Sequence, residues 1–224
     1  MTAHDFELVI GDRNWSSWSL RPWLAMKVAG IPFREAQIRL RQEDTAAQIR
    51  VHSPSGQVPV LKWRGEAIAD SLAICETVAD LCPEKHLWPT DPLARALARS
   101  ISAEMHSGFV DVRRDMPMDI ISRLPGEGQN ELSLAAARRI VDIWRGMRAR
   151  FGVTAAKDDG MLFGAFSIAD AMYAPVVTRF RTYGVDLSKL GDDGKAKAYM
   201  DAVLKLPAFL EWEAGAKAQM AKRA

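Results

Sequence analysis

The chain is short of the residues that build disulfides, metal centres and membrane spans. Only two of its 224 residues are cysteine and four are histidine. Cys75 and Cys82 both lie in "SLAICETVADLC". If that stretch is helical, a rise of about 1.5 Å per residue holds them too far apart for a disulfide. They read as reduced, packed thiols, and without a C-x-x-C pair the usual thioredoxin-type redox chemistry is excluded. His4, His52, His86 and His106 are scattered with no H-x-x-x-H spacing, so no metal is expected. No apolar run reaches the roughly 18 residues of a membrane span. The opening "MTAHDFELVIGDRN" lacks the charged n-region and long apolar stretch of a signal peptide, so the expected address is cytoplasmic, with no membrane partner. Charge of one sign is also scarce: 30 basic residues against 28 acidic ones give no electrostatic case for nucleic acid. A small molecule is the expected partner.

What the chain does have is apolar mass. With 48% hydrophobic and 26% charged residues it can fill a substantial core, in one large domain or two modest ones. Two grammars follow one another. In the first, "FELVIG", "FREAQIRL" and "VPVLKW" read as strands around a helical segment from about Leu20 to Ala29. Gly30 and Ile31-Pro32 stop that helix. "KWRGEAIAD" reads as a tight turn at Arg64 and Gly65, and "SLAICETVADLC" as a helix with Ser71 at its N-cap. The order is βαβ, then ββα.

After Cys82 the text changes. "PEKHLWPTDPL" has three prolines and suits a linker, with Asp91 as an N-cap and Pro92 at the first helical position. Beyond it, "LARALARSISAEMHSGFVDVRRDM", "NELSLAAARRIVDIWRGMRARF", "SIADAMYAPVVTRFRTYG" and "GKAKAYMDAVLKLPAFLEWEAGAKA" are helical in spacing and free of strand signals. "LPGEGQNE" is a loop between two of these helices; Gly126-x-Gly128 lacks the rest of a nucleotide fingerprint. "SIAD" is a capping box, with Ser167 and Asp170 ordering a buried helix rather than doing chemistry.

Four stretches, "SSWSLRPWLAM", "SGQVPVLKWRGEAIADSLAI", "LWPTDPLARA" and "FSIADAMYAP", taken in that order and spacing, resemble the cytosolic glutathione transferases over nearly the whole chain. The resemblance implies a thioredoxin-like N-terminal domain over 5–84, a linker over 85–92 and an all-α helical-bundle domain over 93–224 that lines an electrophile site. It implies glutathione as co-substrate, a small electrophile as substrate, no metal, and a C2 homodimer. The apolar side chains around "EAIADSLAICETV" offer a surface for that dimer. The serine-containing first helix is similar to the zeta class, whose motif runs Ser-Ser-Cys-x-x-Arg; Trp18 stands where that cysteine would fall.

Site residues follow by resemblance. In the family motif the active serine precedes the arginine by five positions, which sets Ser16 against Arg21 as the thiolate donor, with Ser17 its neighbour and the alternative. Pro22 fits a helix only in its first turn, so the helix is expected to begin near Trp18 or Ser19, leaving Ser16 and Ser17 at its positive end. The other reading of Ser16, Ser17 and Ser19 is capping alone. Pro59 is cis in the family, and Val58 then pairs its main chain with the cysteinyl part of glutathione; an ordinary strand-start proline is the alternative. Ser71 takes the γ-glutamyl carboxylate and Asp70 faces the ammonium, or Ser71 merely caps its helix. Gln57 is a further candidate for the tripeptide backbone.

The electrophile site in this family is formed largely by the first long helix of the second domain, which selects "EMHSGFVDVRRDM". There His106, Phe109, Val112 and Arg113 are spaced to share a face or its edge, with Trp18 opposite. His106 either touches substrate or packs, and Arg113 either holds a carboxylate or pairs with Asp111 or Asp115. The implied function is activation of the glutathione thiolate for attack on a small electrophile. Two alternatives stand beside it: a zeta-type glutathione-dependent cis–trans isomerase, as in maleylacetoacetate isomerases, and a non-catalytic protein that keeps the fold for interaction. A serine hydrolase is disfavoured because Ser16 lies in no G-x-S-x-G elbow.

Overall fold

The computed structural model describes residues 6–223; His4 lies outside the described residues. The first part is β1 (Glu7–Ile10), α1 (Ser17–Val28), β2 (Arg34–Gln37), α2 (Thr45–His52), β3 (Val60–Trp63), β4 (Glu66–Ile68) and α3 (Ser71–Leu81). The strands form one four-stranded sheet in the order β2-β1-β3-β4, with β1 and β2 parallel and the other pairs antiparallel. Arg64 and Gly65 make the β3–β4 turn, both with positive φ. This is the thioredoxin-like arrangement.

The rest is helical: α4 (Pro92–Ser107), α5 (Val110–Asp115), α6 (Glu131–Met147), α7 (Ile168–Tyr183), α8 (Lys195–Leu204) and α9 (Pro207–Ala221). Asp91 caps α4, its carboxylate accepting from the Ala94 N–H at 2.7 Å, with Pro92 in the first turn. Among the described residues no helix is long and apolar enough to cross a membrane. Cys75 and Cys82 are free and buried.

Two apolar clusters hold the sheet. Its α1 and α3 face joins a large core that runs on into α4, α6, α7 and α9. The opposite face has a small cluster of Val9, Ile38, Ile49 and Val60, with Ile49 supplied by α2. Helix α7 is the axis of the molecule: of its sixteen residues only Arg181 is not fully buried. It packs along α1 and α4, so the helix that opens the cleft is clamped between the sheet and the helical bundle.

Four local expectations are corrected. Helix α1 begins at Ser17, with Ser16 as its N-cap, and Pro22 sits inside it. The missing Pro22 N–H is tolerated in a helix whose other residues from Leu20 to Met26 are buried and held by packing rather than by ladder bonds alone. Helix α2 was not legible because only Ile49 of its eight residues is buried, so the sequence carries no apolar stripe. The stretch after Asp91 is not one helix: it breaks at Gly108 and Phe109, where Phe109 adopts φ 58° and caps α5. A Cβ on Gly108 would stand 2.8 Å from the Glu104 carbonyl oxygen, so the chain turns where the side chain is absent. Finally, Asp70 rather than Ser71 is the N-cap of α3.

Candidate functional site

A cleft of about 680 Å³ opens where the N-terminal ends of α1 and α3 converge on the segment before β3. That volume suits a small organic ligand. Two helix N-termini bring unpaired N–H groups and partial positive charge to one place, an arrangement that favours anions such as carboxylate and thiolate.

Ser16, Ser17 and Trp18 line it from α1. Ser16 is buried and donates its hydroxyl to the Ser19 hydroxyl oxygen at 2.7 Å, while accepting from the Ser19 N–H at 3.4 Å. Ser19 in turn accepts from the Gly11 N–H at 3.1 Å. The three serines thus split their duties. Ser16 caps, Ser19 braces it from the core, and Ser17 lines the cleft with no side-chain hydrogen bond among the described residues.

Gln57, Val58 and Pro59 form the second wall. The Val58-Pro59 bond is cis. The ladder with β1 starts only at Val60, and the Val58 main chain makes no hydrogen bond among the described residues. Its N–H and C=O are therefore free for an added strand.

Asp70 and Ser71 form the third wall. One Asp70 carboxylate oxygen accepts from the N–H groups of Leu72 at 2.9 Å and Ala73 at 3.1 Å. The other lies 3.0 Å from His106 Nε2. Ser71 is fully buried, and its hydroxyl has no hydrogen-bond partner among the described residues. The hydroxyl keeps its donor and acceptor capacity at the edge of the cleft.

The helical side contributes less than expected. His106 lines the cleft, edge-on to Trp18 with ring centroids 5.3 Å apart. Phe109 and Arg113 do not line it, because the break at Gly108 turns them away from the His106 face. Arg113 pairs with neither Asp111 nor Asp115, which both go to Arg114. It donates instead to the carbonyls of Met105 and His106, closing the end of α4, and stacks on the Trp18 ring at 4.7 Å.

Trp15, Leu40, Ile49, Ser55, Gly56 and Ala69 also line the cleft and were not foreseen. Trp15 stood in the opening serine–tryptophan run and was legible in principle. Its setting was not: the ring lies between Arg41 at 4.3 Å and Arg223 at 4.9 Å, and Arg223 also binds Asp12 at 2.8 Å. No local pattern announces a contact that spans the length of the chain. Among the described residues no group of three or more His, Cys, Asp or Glu is placed to hold a metal. Burial pushes the Cys75 thiol up to about 12, so it is no nucleophile.

The fold and the cleft together define a glutathione transferase. The chain matches the family descriptions "Glutathione S-transferase, N-terminal domain" over residues 15–81 and "Glutathione S-transferase, C-terminal domain" over residues 127–212, and it belongs to this family. Within it, the chain is 31% identical to maleylacetoacetate isomerase of Rattus norvegicus, over 79% of this chain and 78% of that protein. It is 30% identical to maleylacetoacetate isomerase of Rhizobium meliloti, over 81% and 85%. A glutathione transferase homologue from Burkholderia, solved with bound glutathione, shares the fold with a TM-score of 0.69 at 20% identity, over 96% of this chain and 99% of that one.

Proposed function

We propose that this enzyme holds glutathione along the Gln57–Pro59 and Asp70-Ser71 walls of the cleft and activates its thiol at the start of α1 for attack on a small electrophile. The observation that carries the reading is the convergence of Ser16 and Ser17, Val58-Pro59, and Asp70-Ser71 on one cleft, with the Ser71 hydroxyl buried and unpartnered. Ser71 and the α3 N-terminus take the γ-glutamyl carboxylate, Asp70 faces the ammonium, the Val58 main chain pairs with the cysteinyl unit, and Gln57 reaches the tripeptide backbone. Ser16 then donates to the sulfur. When it does so, Ser19 turns its own proton to Ser16 while still accepting from Gly11, so the hydrogen-bond chain survives the switch. Donation to sulfur, next to a helix N-terminus, favours the thiolate and lowers the bound thiol's pKa. Trp18 and His106 face the electrophile.

A second reading is supported by the rat and Rhizobium relatives: glutathione adds to a maleyl-containing diacid, the former double bond rotates, and glutathione leaves. It uses the same thiolate. The protein is proposed to act in the cytoplasm as a C2 homodimer. Light scattering at micromolar concentration is expected to give twice the 24.8 kDa chain mass.

Calorimetry with glutathione and an S-alkyl analogue tests the glutathione reading. Binding in the micromolar to millimolar range is expected, as for an ordinary substrate. Neither heat nor thermal protection at several millimolar of both ligands leaves only a non-catalytic protein that kept the fold.

A further inference from the structure

The turn between β1 and α1, which delivers Ser16 to the cleft, is held by the helical part of the chain. The Asp12 carbonyl accepts from the N–H groups of Trp15 at 3.2 Å and Ser16 at 2.8 Å, so the place of Asp12 sets the place of Ser16. Asp12, Arg13 and Asn14 each take partners from beyond α5. The Arg13 carbonyl accepts from the Trp212 indole N–H at 2.8 Å, and the Arg13 N–H donates to Gln219 Oε1 at 2.9 Å. Asn14 Nδ2 donates to Asp119 at 2.9 Å, and Asn14 Oδ1 accepts from the Ile121 N–H at 3.1 Å. Asp12 differs from the other two because it is a buried carboxylate, 2% exposed. Its counter-charge is Arg223, just beyond α9, whose Nη2 donates to Oδ1 at 2.9 Å and to Oδ2 at 2.8 Å.

Arg223 does more than close that charge. It also donates to the Leu40 carbonyl at 3.3 Å, while Asp12 Oδ2 accepts from the Leu40 N–H at 2.6 Å, so the pair grips both main-chain groups of one residue. Its guanidinium stands 4.9 Å from the Trp15 ring, on which Arg41 also stacks at 4.3 Å. Leu40, Trp15 and Ser16 line the cleft; Asp12 and Arg223 line a separate notch of about 200 Å³ together with Arg39 and Lys222. Among the described residues neither Arg39 nor Lys222 forms an ion pair with Asp12, so Arg223 alone compensates it. Removing one member of a buried ion pair leaves the other uncompensated, a larger disturbance than the net worth of the pair. Loss of Arg223 therefore falls on Asp12, and through Asp12 on Ser16, Trp15 and Leu40.

We propose that Arg223 is a positioning residue for thiol activation: by neutralising Asp12 it fixes the turn that sets the Ser16 hydroxyl, and through Leu40 and Trp15 it fixes the adjoining wall of the cleft. The assignment rests on the reading of this cleft as a glutathione thiolate site, and extends it to a residue that touches no ligand. Two effects act in the same direction. A displaced Ser16 donates to the sulfur less well, and an uncompensated negative charge on Asp12 opposes the thiolate. The other charges around the start of α1 are Arg21 and Arg113 at the Trp18 ring, Arg41 at the Trp15 ring, and Asp70 with His106 across the cleft. None of them pairs with Asp12 or Arg223 among the described residues, so all stay in place when Arg223 is replaced. A pH profile then isolates the Asp12–Arg223 pair.

Amide hydrogen exchange and steady-state turnover of the full-length protein test this. In Arg223→Met the peptides carrying Trp15, Ser16 and Leu40 are expected to exchange faster by about ten-fold, while those of α6 and α8 keep their rates. With an activated aryl halide as electrophile, turnover is expected to fall by about three- to ten-fold while the KM for the halide holds. The pH midpoint of thiolate formation on bound glutathione, read from the ultraviolet absorbance of the thiolate, is expected to rise by about half a unit to one unit. Arg223→Lys keeps the charge and the double variant Asp12→Asn/Arg223→Met removes both charges; each is expected to bring the midpoint most of the way back. Unchanged exchange at Trp15, Ser16 and Leu40 overturns the hold on the turn. Faster exchange with an unchanged midpoint and unchanged turnover overturns the positioning role. A raised midpoint that the double variant does not lower overturns the part given to the Asp12 charge. Faster exchange in Arg223→Met, together with no glutathione binding by the unmodified protein in calorimetry, removes the transferase reading and leaves the hold on the turn standing. If Arg223→Met does not fold, Arg223→Gln, which keeps a donor for Asp12 but no charge, is read in the same way.

Discussion

Two helix starts in this molecule pair an aspartate with a serine and come to different ends: Asp70 is the N-cap of α3, and Asp170 is the third residue of α7 behind the N-cap Ser167. At α3, Asp70 caps Leu72 and Ala73, the neighbouring serine hydroxyl is buried without a partner, and the second carboxylate oxygen turns to His106. At α7, Asp170 accepts from the N–H of Leu162 at 3.0 Å and of Ser167 at 2.8 Å, and from the Ser167 hydroxyl at 2.9 Å. Asp170 is fully buried, and the hydroxyl beside it is satisfied. The residues alone read Ser167 and Asp170 as a capping box and left Ser71 open between capping and ligand contact. The difference lies in what is left open: the α7 start closes on itself, and the α3 start leaves a serine hydroxyl unpartnered beside the cleft.

The largest effect is expected where the closed cap is opened. Asp170→Ala strands two buried N–H groups and a hydroxyl and leaves a void, a loss of about 2–4 kcal/mol. For a chain of this size that lowers the transition temperature by roughly 5–15 °C. Glutathione affinity, measured well below the transition, is expected to hold. The charge at this site also has a sign. Burial raises Asp170 from the usual carboxylate value to about 6. The folded state therefore favours the protonated form: this group's contribution is fully present below about pH 4 and is lost as pH rises through about 6. Asp170→Asn, neutral throughout, is expected to flatten that segment of the stability profile. A steeper profile in the variant would break the comparison.

Helix α1 is an intermediate case, with Ser16 satisfied through Ser19 and Ser17 left open. Ser16→Ala is expected to keep the fold, lower turnover by about ten- to a thousand-fold and raise the pH midpoint of thiolate formation on bound glutathione. Ser17→Ala should do less of each. The opposite ranking would assign the thiolate donor to the open hydroxyl and place α1 with α3 rather than between the two.

What could be read from the residues follows the same division. Asp91-Pro92 and Gly30 announced themselves, because caps and stops are set by neighbours in the chain; the α3 cap was read one residue late, at Ser71, and Val58-Pro59 and Asp70 were marked by the family resemblance. Ser16, Ser17, Trp18, Gln57 and His106 also reach the cleft. Phe109 and Arg113 do not, because a continuous helix was extrapolated through Gly108, where the backbone turns. Arg223 had no local mark at all. Its contacts with Asp12 and Trp15 arise only when the end of α9 is brought to the β1–α1 turn, and helical periodicity describes a face of one helix rather than what opposes it.

The smallest effect is the sharpest test of the comparison itself. Asparagine caps a helix about as well as aspartate, so Asp70→Asn preserves the bonds to Leu72 and Ala73 while removing the charge. If α3 begins in a binding site, its thermal transition should move by less than about 3 °C, of the order of one weakened exposed interaction. Its dissociation constant for glutathione should rise by about ten-fold, worth about 1.4 kcal/mol, through the lost attraction for the ammonium. Asp70 is half exposed and its bridge to His106 is therefore a minor part of either change. A glutathione analogue lacking the α-amino group separates the two parts: it should bind the original protein and Asp70→Asn with equal affinity. Equal loss for glutathione and the analogue would mean that the variant has disturbed the cap geometry rather than a charge contact. An unchanged glutathione affinity with a lowered transition temperature would make Asp70 a structural cap of the same kind as Asp170, and the distinction between the two helix starts would then rest on Ser71 alone.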